Sequence, residues 1–324
     1  MAAAAGVSRS TVSYVLSGST RHSFPEETRR RVEEAASRLA YIPHAAARSL
    51  RGGDYHCVLV ALGRLPFAGN VDRLLGQLTD ALAQRGRSLL TWTAGGGARL
   101  ADVLRDVNPG VVVEVMPLTA DDRSAARGAG IPVLSIAHSV EHLERAVGAL
   151  QVQHLVALGH RRLAHVTVED ALLATLSANR AQGVRLAARA HGLAVPPHVV
   201  PGALTDAGEA LRPVLRRWVG GRHPVTAVCC FNDLFAGAVL LAAAREGIDV
   251  PGDLSVVGVD ADPFGALLTP TLSSVRYDFA GAAAFIADSI RSELDRGAPG
   301  GGRDRMLDLV AAGSTGPAPR RRTP

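Results

Sequence analysis

The 324-residue sequence contains no lysine; all 35 of its basic side chains are arginine. That bias is the mark of a GC-rich coding sequence rather than of selection for guanidinium chemistry. Cysteine is scarce as well. Cys57, Cys229 and Cys230 have neither disulfide nor metal-ligand spacing, and each sits in an apolar, strand-like run. They read as buried, reduced thiols of a cytoplasmic protein. No run of about 18 uncharged apolar residues occurs, so no membrane span is expected. Met1–Ala5 has neither a basic start nor a long apolar stretch, so no secretory leader is expected. A nucleophile elbow, a P-loop, a dinucleotide fingerprint and a metal cluster are all missing, and Gly95-Gly96-Gly97 lacks the spacing of a nucleotide loop. The chain is therefore not expected to be an enzyme or to carry a cofactor.

What is present is unevenly distributed. Residues 1–53 hold eight arginines and four glutamates, residues 54–316 hold 24 arginines against 26 acids, and Arg320-Arg321-Arg322 closes the chain. A basic head on a slightly acidic body suits a nucleic-acid-binding segment joined to a ligand-binding core. The length exceeds one ordinary core, since roughly 100–200 residues per domain is usual. Hydrophobic residues at 47% and charged residues at 20% suit a folded chain.

The head reads as a helix-turn-helix. Ser8 is placed to cap a helix running to Leu16, with Val12, Val15 and Leu16 on its apolar side. The opposite side carries Arg9, Ser10, Ser13 and Tyr14. Polar side chains at the start of such a helix face base edges in the major groove, and arginine there favours guanine. Ser8, Thr11 and Ser13 are better placed for phosphate oxygens. Phe24-Pro25-Glu26-Glu27-Thr28 opens a further helix, with proline and two acids in its first turn. That helix carries Val32, Ala35, Ala36 and Leu39 on one side. Beyond it, Ala45–Leu50 reads as a short linker helix, marginal in isolation.

From Cys57 onward, strands alternate with helices. Strands are expected at Cys57–Leu62, Leu89–Thr93, Val111–Val115, Val133–Ile136, Leu163–Val166, Ala227–Phe231 and Leu254–Val259. Helices are expected at Val71–Gln84 and Ala98–Val107. Two such series imply two lobes with parallel sheets covered on both faces. Ligands of such sheets sit beyond the carboxyl ends of the strands. Arg180, Asn232 and Asp260 are expected at strand ends or helix starts facing that cleft, a donor and acceptor set suited to the hydroxyls of a polyol. Tyr277 and Phe279 follow the strand at Val275 and offer aromatic faces for a sugar ring.

Several segments point to one family when taken in order. They are Gly6-Val7-Ser8 with the helix after it, Tyr41-Ile42-Pro43-His44, and His154-Leu155-Val156-Ala157-Leu158-Gly159-His160-Arg161-Arg162. Arg180-Ala181-Gln182-Gly183, Asn232-Asp233, Pro251-Gly252-Asp253-Leu254-Ser255-Val256-Val257-Gly258-Val259-Asp260 and Leu309–Thr315 complete the set. Together they resemble the lactose-repressor (LacI) family of bacterial transcription regulators over Ala5 to Thr315. The resemblance implies an α/β chain with a helical helix-turn-helix headpiece on a two-lobed, periplasmic-binding-protein-like core with parallel sheets. It divides the chain into a headpiece at 1–43, a hinge helix and linker at 44–53, an effector-binding and dimerisation core at 54–316, and a basic tail at 317–324. It implies a homodimer on double-stranded operator DNA, with Leu50 wedged in the minor groove and a small-molecule effector, expected to be a sugar, between the lobes. Effector contacts fall on Arg180, Asn232, Asp260, Tyr277 and Phe279, with weaker matches at Arg64 and Phe67. A solute-binding protein of the same fold, without DNA binding, is the alternative.

Two departures stand out. Family members have several residues before the position of Met1, so the first helix is expected to be a stub, or the start to lie upstream. Between Ile136 and His154 the chain is several residues short, and the acid usual after the Ile136 strand is replaced by Ala137 or His138. His138 and His142 lie in this stretch without a third ligand and are expected at the surface, not on a metal.

Overall fold

The computed structural model describes residues 1–16, 24–39, 57–64, 69–295 and 306–319. The expected hinge helix with Leu50, Phe67 and the three tail arginines lie outside the described residues. The chain divides into two compact units, Met1–Cys57 and Val58–Pro324.

The first unit holds α1 (Ala2–Ala5), α2 (Arg9–Leu16) and α3 (Glu26–Arg38). Gly6 ends α1 at φ 63°, a left-handed turn that glycine makes without a Cβ clash. Ser8 Oγ accepts the Thr11 N–H at 3.0 Å and so caps α2. Ala5, Val12, Val15, Val32 and Ala35 form the core, with Met1, Ala2, Val7 and Phe24 against it. Leu39 departs from its expected place on the buried side. It is the residue that ends α3, where the helical phase is lost, and it stands 51% exposed.

The second unit holds two sheets. The smaller runs β2 (Ser88–Trp92), β1 (Cys57–Ala61), β3 (Val111–Glu114), β4 (Val133–Ser135). Alternation sorts its side chains. Val58 and Val60 point to one face, against Leu75, Leu78 and Leu82 of α4 (Asn70–Ala83). Leu59 and Ala61 point to the other, against α5 (Leu100–Val107) and α6 (Ala120–Gly128).

After β4 comes α7 (Ala137–Ala157), then β5 (Leu163–Val166), α8 (Ala174–Ala190), β6 (His198–Val199), α9 (Leu204–Val219) and β7 (Ala227–Cys230). Then follow α10 (Asp233–Glu246), β8 (Ser255–Val259), a 3-10 turn (Pro263–Leu267), β9 (Ser273–Tyr277), α11 (Phe279–Asp295) and β10 (Leu307–Val310). The larger sheet has the order β10-β9-β8-β7-β5-β6. Its pairs are parallel from β9 to β6, and β10 joins antiparallel. Val228, Cys230 and Val256 face α9 and α10, while Ala227, Cys229 and Val257 face α7 and α8. Cys229 and Cys230 are fully buried, and burial pushes the Cys229 thiol up to about 12, so it stays protonated.

Among the described residues, α7 and α11 join the lobes. Val140 near the start of α7 packs on the smaller lobe's core, while Val152 and Leu155 pack in the larger one. In the opposite direction, α11 leaves β9 and puts Ala283, Ile286, Ala287 and Ile290 into the smaller lobe's core. The segment that departs from the family is therefore the front half of a 21-residue helix. Residues 137–147 contain neither glycine nor proline, and alanine, leucine, glutamate and arginine sustain a helix there. The larger lobe also holds the chain past residue 316, where the Ala318 N–H donates to Leu158 O at 2.9 Å.

Candidate functional site

In the first unit the proposed DNA-reading side chains fall on one helix. Ser8, Arg9 and Ser10 are exposed at its start, Thr11 and Ser13 are partly exposed, and Tyr14 is 41% exposed. The Ser8 hydroxyl is also engaged with Thr11 Oγ1 at 2.8 Å, so it serves as cap whatever else it contacts.

In the second unit the cleft residues gather where the carboxyl ends of β7, β8 and β9 meet the start of α4. Arg180 lies two turns into α8, not at its start, and is buried. Its guanidinium is held on three sides: Nε donates to Glu144 Oε2, Nη1 to the Phe231 carbonyl, and Nη2 to Tyr277 Oη at 2.8 Å. The Phe231 ring covers one face, its centroid 4.5 Å from Cζ. Burial alone would lower the Arg180 pKa; the charges of Glu144, Tyr277 and Asp260 and the Glu144 hydrogen bond together outweigh it and raise it. Tyr277 does not present an open aromatic face. It is buried, its hydroxyl donates to Glu144 Oε1 at 2.9 Å, and its ring stacks on the partly buried Phe279 at 5.4 Å. It positions Arg180, and Phe279 is the aromatic left nearer the surface.

Asp260 stands just past β8 with φ 110°, and Ala261 follows at φ 46°. Successive left-handed residues with a Cβ are strained, at about 1–3 kcal/mol each. The turn is held by the Asp260 N–H to Val275 O at 2.8 Å and the Ala261 N–H to Ser274 Oγ at 2.9 Å. Its carboxylate accepts Asn70 Nδ2 from α4, and Arg73 Nη1 donates to the Asp260 carbonyl at 3.0 Å. Arg73 also lies 3.6 Å from Asp262. These contacts bridge the two lobes directly. Burial pushes the Asp260 carboxyl up to about 7; Asp233 adds to the rise, and Arg180 opposes it. Asp233 is itself raised to about 6, chiefly by burial, although Ser274 Oγ and the Asp262 N–H both donate to it. Asn232 caps α10, accepting the Phe235 N–H at 3.1 Å, and is partly exposed to the cleft.

Glu144, Asn70 and Arg73 were not singled out from the sequence. Glu144 had a signal: with Val147, Gly148, Gln151, Val152 and Leu155 it lies on the buried stripe of α7, where a charge needs a partner. Gln151, on the same stripe, donates to the carbonyls of Cys230, Val257 and Gly258 and ties α7 to the ends of β7 and β8. His138 and His142 are exposed on α7 rather than in a loop, with Nε2 atoms 2.8 Å apart. Among the described residues no group of three or more metal-ligating side chains forms, and no helix is long and apolar enough to cross a membrane.

Comparison with known proteins accounts for both units. Residues 1–44 match the family described as bacterial regulatory proteins, lacI family, and residues 152–315 match a periplasmic binding protein-like domain. The transcriptional regulator MalR of Streptomyces coelicolor is 29% identical over 349 residues, covering 99% of this chain and 97% of that one. The regulator CelR of Thermobifida fusca is 30% identical over 299 residues, covering 85% of each. Among solved structures, a lac repressor dimer bound to operator and the anti-inducer ONPF superposes with a TM-score of 0.77 at 22% identity, covering 97% of both chains. A regulator CelR–cellobiose complex superposes at 0.60 with 23% identity, covering 97% and 98%. With its head and its body matched separately, and with a relative 30% identical over 85% of each chain, the chain belongs to the lacI family of bacterial regulatory proteins.

Proposed function

We propose that the protein is a homodimeric transcriptional repressor that reads operator DNA with α2 and is controlled by a sugar bound between its lobes. The observation that carries the effector site is the Asn70–Asp260 bridge. Asn70 Nδ2 is committed to Asp260, which leaves Asn70 Oδ1 buried with no donor among the described residues. An orphaned acceptor beside a carboxylate suits ligand hydroxyls, since a buried unsatisfied oxygen costs about 1–3 kcal/mol. The cellobiose seen with a structural relative supports the same class of ligand.

The effector acts only through its different affinity for open and closed lobes, and couplings of this kind change DNA affinity by roughly 5–150-fold. For DNA, Arg9, Ser10 and Tyr14 are the base-reading candidates, Ser8, Thr11 and Ser13 the phosphate contacts, and Leu50 the minor-groove wedge. For the second copy, Leu234 and Leu241 are exposed on α10 and Leu267 is 84% exposed on the 3-10 turn. That turn packs on α10 at Gly237, where an added Cβ would sit 3.7 Å from Phe264. These leucines form an apolar face of the kind a symmetric pair buries. The match of residues 1–44 favours a regulator over a solute-binding receptor.

Two measurements test the reading. Binding to the DNA upstream of the protein's own gene should weaken steeply with salt, and salt-independent or absent binding sinks the operator assignment. A thermal-shift screen of mono- and disaccharides should find a stabilising sugar, and that stabilisation should fall at least tenfold in affinity in Asp260→Ala.

A further inference from the structure

We infer that Glu144 sets the charge class of the effector, making the cleft selective for uncharged, hydroxyl-bearing molecules and closed to phosphorylated or carboxylated ones. This rests on the effector site proposed above and deepens it. An arginine beside a cleft ordinarily recruits anions, because its fork matches a carboxylate or phosphate. Here the fork is already answered from within. Both Glu144 oxygens are occupied, one by Arg180 Nε and one by Tyr277 Oη, and the pair is buried at both ends. Three of the five guanidinium N–H donors are spent on Glu144, Phe231 O and Tyr277. Two remain, so Arg180 offers hydrogen bonds without an uncompensated charge.

The neighbouring groups point the same way. Among the described residues tied to this cluster by hydrogen bonds or ion pairs, Arg180 and Arg73 are the cations, against the carboxylates of Glu144, Asp233, Asp260 and Asp262. Arg73 is turned to Asp262 and the Asp260 carbonyl. A bound anion would therefore meet carboxylates and no unpaired cation. A neutral polyol would receive the two spare Arg180 donors and give its own hydroxyl protons to Asp260 and to Asn70 Oδ1. Removing the Glu144 charge frees the guanidinium, and a charge-assisted pair with an anion then improves anion affinity by roughly tenfold or more.

The test uses the full-length protein and calorimetric titration with thermal melts. The probes are inorganic phosphate against chloride at matched ionic strength, and a panel of neutral sugars with the 6-phosphate and uronate of each. The wild type should show no saturable response to phosphate, and any sugar that binds should lose at least tenfold affinity on phosphorylation or oxidation to the uronate. Glu144→Gln should gain a saturable phosphate response that the double variant Glu144→Gln, Arg180→Met lacks. Saturable phosphate binding by the wild type that Arg180→Met abolishes overturns the inference. So does a folded Glu144→Gln that stays indifferent to phosphate, or a wild type that prefers a phosphosugar to its parent. If Glu144→Gln does not fold, the wild-type comparisons decide. If no sugar binds at all, the sugar reading fails, while the phosphate arm still decides the role of Glu144.

Discussion

The Asp260 carboxyl holds its proton up to about pH 7 in the folded chain, against 3.8 for a free side chain, because burial and the nearby Asp233 outweigh the pull of Arg180. The folded-state value is the higher one, so the native state binds the extra proton between those two pH values. The stability tied to it is fully present below pH 3.8 and is lost as the pH rises to about 7. At about 1.4 kcal/mol per pH decade, the gap is worth about 4 kcal/mol as an upper bound. Asp260→Asn cannot ionise, and its amide oxygen still accepts Asn70 Nδ2. The variant and the wild type should therefore match near pH 4. The variant should lead by about 2–4 kcal/mol at pH 8, a gain on the order of 10 °C in melting temperature for a chain of this size. Urea or thermal melts of both proteins from pH 4 to 8 measure the difference directly, and titrating groups that do not interact with Asp260 cancel in it. At pH 8 effector affinity should move the opposite way, because there a charged acceptor is lost. A variant no more stable than the wild type at pH 8, or a difference that does not grow with pH, refutes the reasoning.

Other outcomes follow from the same contacts. Gly183→Ala should destabilise the larger lobe by about 1–3 kcal/mol or more, since its new methyl collides with the Arg145 carbonyl where α7 and α8 cross; an unchanged melt would show that the helices separate freely. Ser8→Ala removes the α2 cap and should cost the headpiece about 1 kcal/mol, seen as an earlier loss of helical circular dichroism, with no change in the effector-binding unit. Asn70→Ala removes one lobe-to-lobe bond, so small-angle scattering of the unliganded protein should report a larger radius of gyration; an identical curve would mean that this bond does not hold the lobes together.

The parts legible in the sequence are those fixed by near neighbours. The strand at Val111–Glu114 is a continuous apolar run, Ser8 and Asn232 sit just ahead of helices they do cap, and the Pro251–Asp260 segment leads straight into the bent turn at the cleft. What stayed hidden depends on distant pairings. Glu144 is 36 residues from Arg180 and 133 from Tyr277, and Asn70 is 190 from Asp260. No local spacing encodes such pairs. Tyr277 misled for the same reason: its residue type suggested a platform for a ring, while its surroundings made it a brace for an arginine. The front half of α7 was hard to place because the chain is several residues short there and lacks the acid usual after the Ile136 strand. Its true sign was the helical stripe itself, with Glu144 and Gln151 as the two polar residues in it.

The close crossing of α7 and α8 has a mechanical consequence. A Cβ at Gly148 would collide with the Arg180 carbonyl, and one at Gly183 with the Arg145 carbonyl, so the two backbones touch and α7 is clamped there to the larger lobe. Ahead of that clamp Leu143 still packs with Val259, Val275 and Tyr277, and the residues from 137 to 142 run on as a rod about 9 Å long, with the smaller lobe's core packed against Val140. A rotation of the small lobe by about 10° would swing the free end of such a rod by about 1.5 Å. Glu144 and Arg180 both sit in the clamp itself. The ion pair thus lies where α7 leaves the larger lobe for the smaller one, so a ligand that reorients Arg180 acts at the base of the helix that joins them.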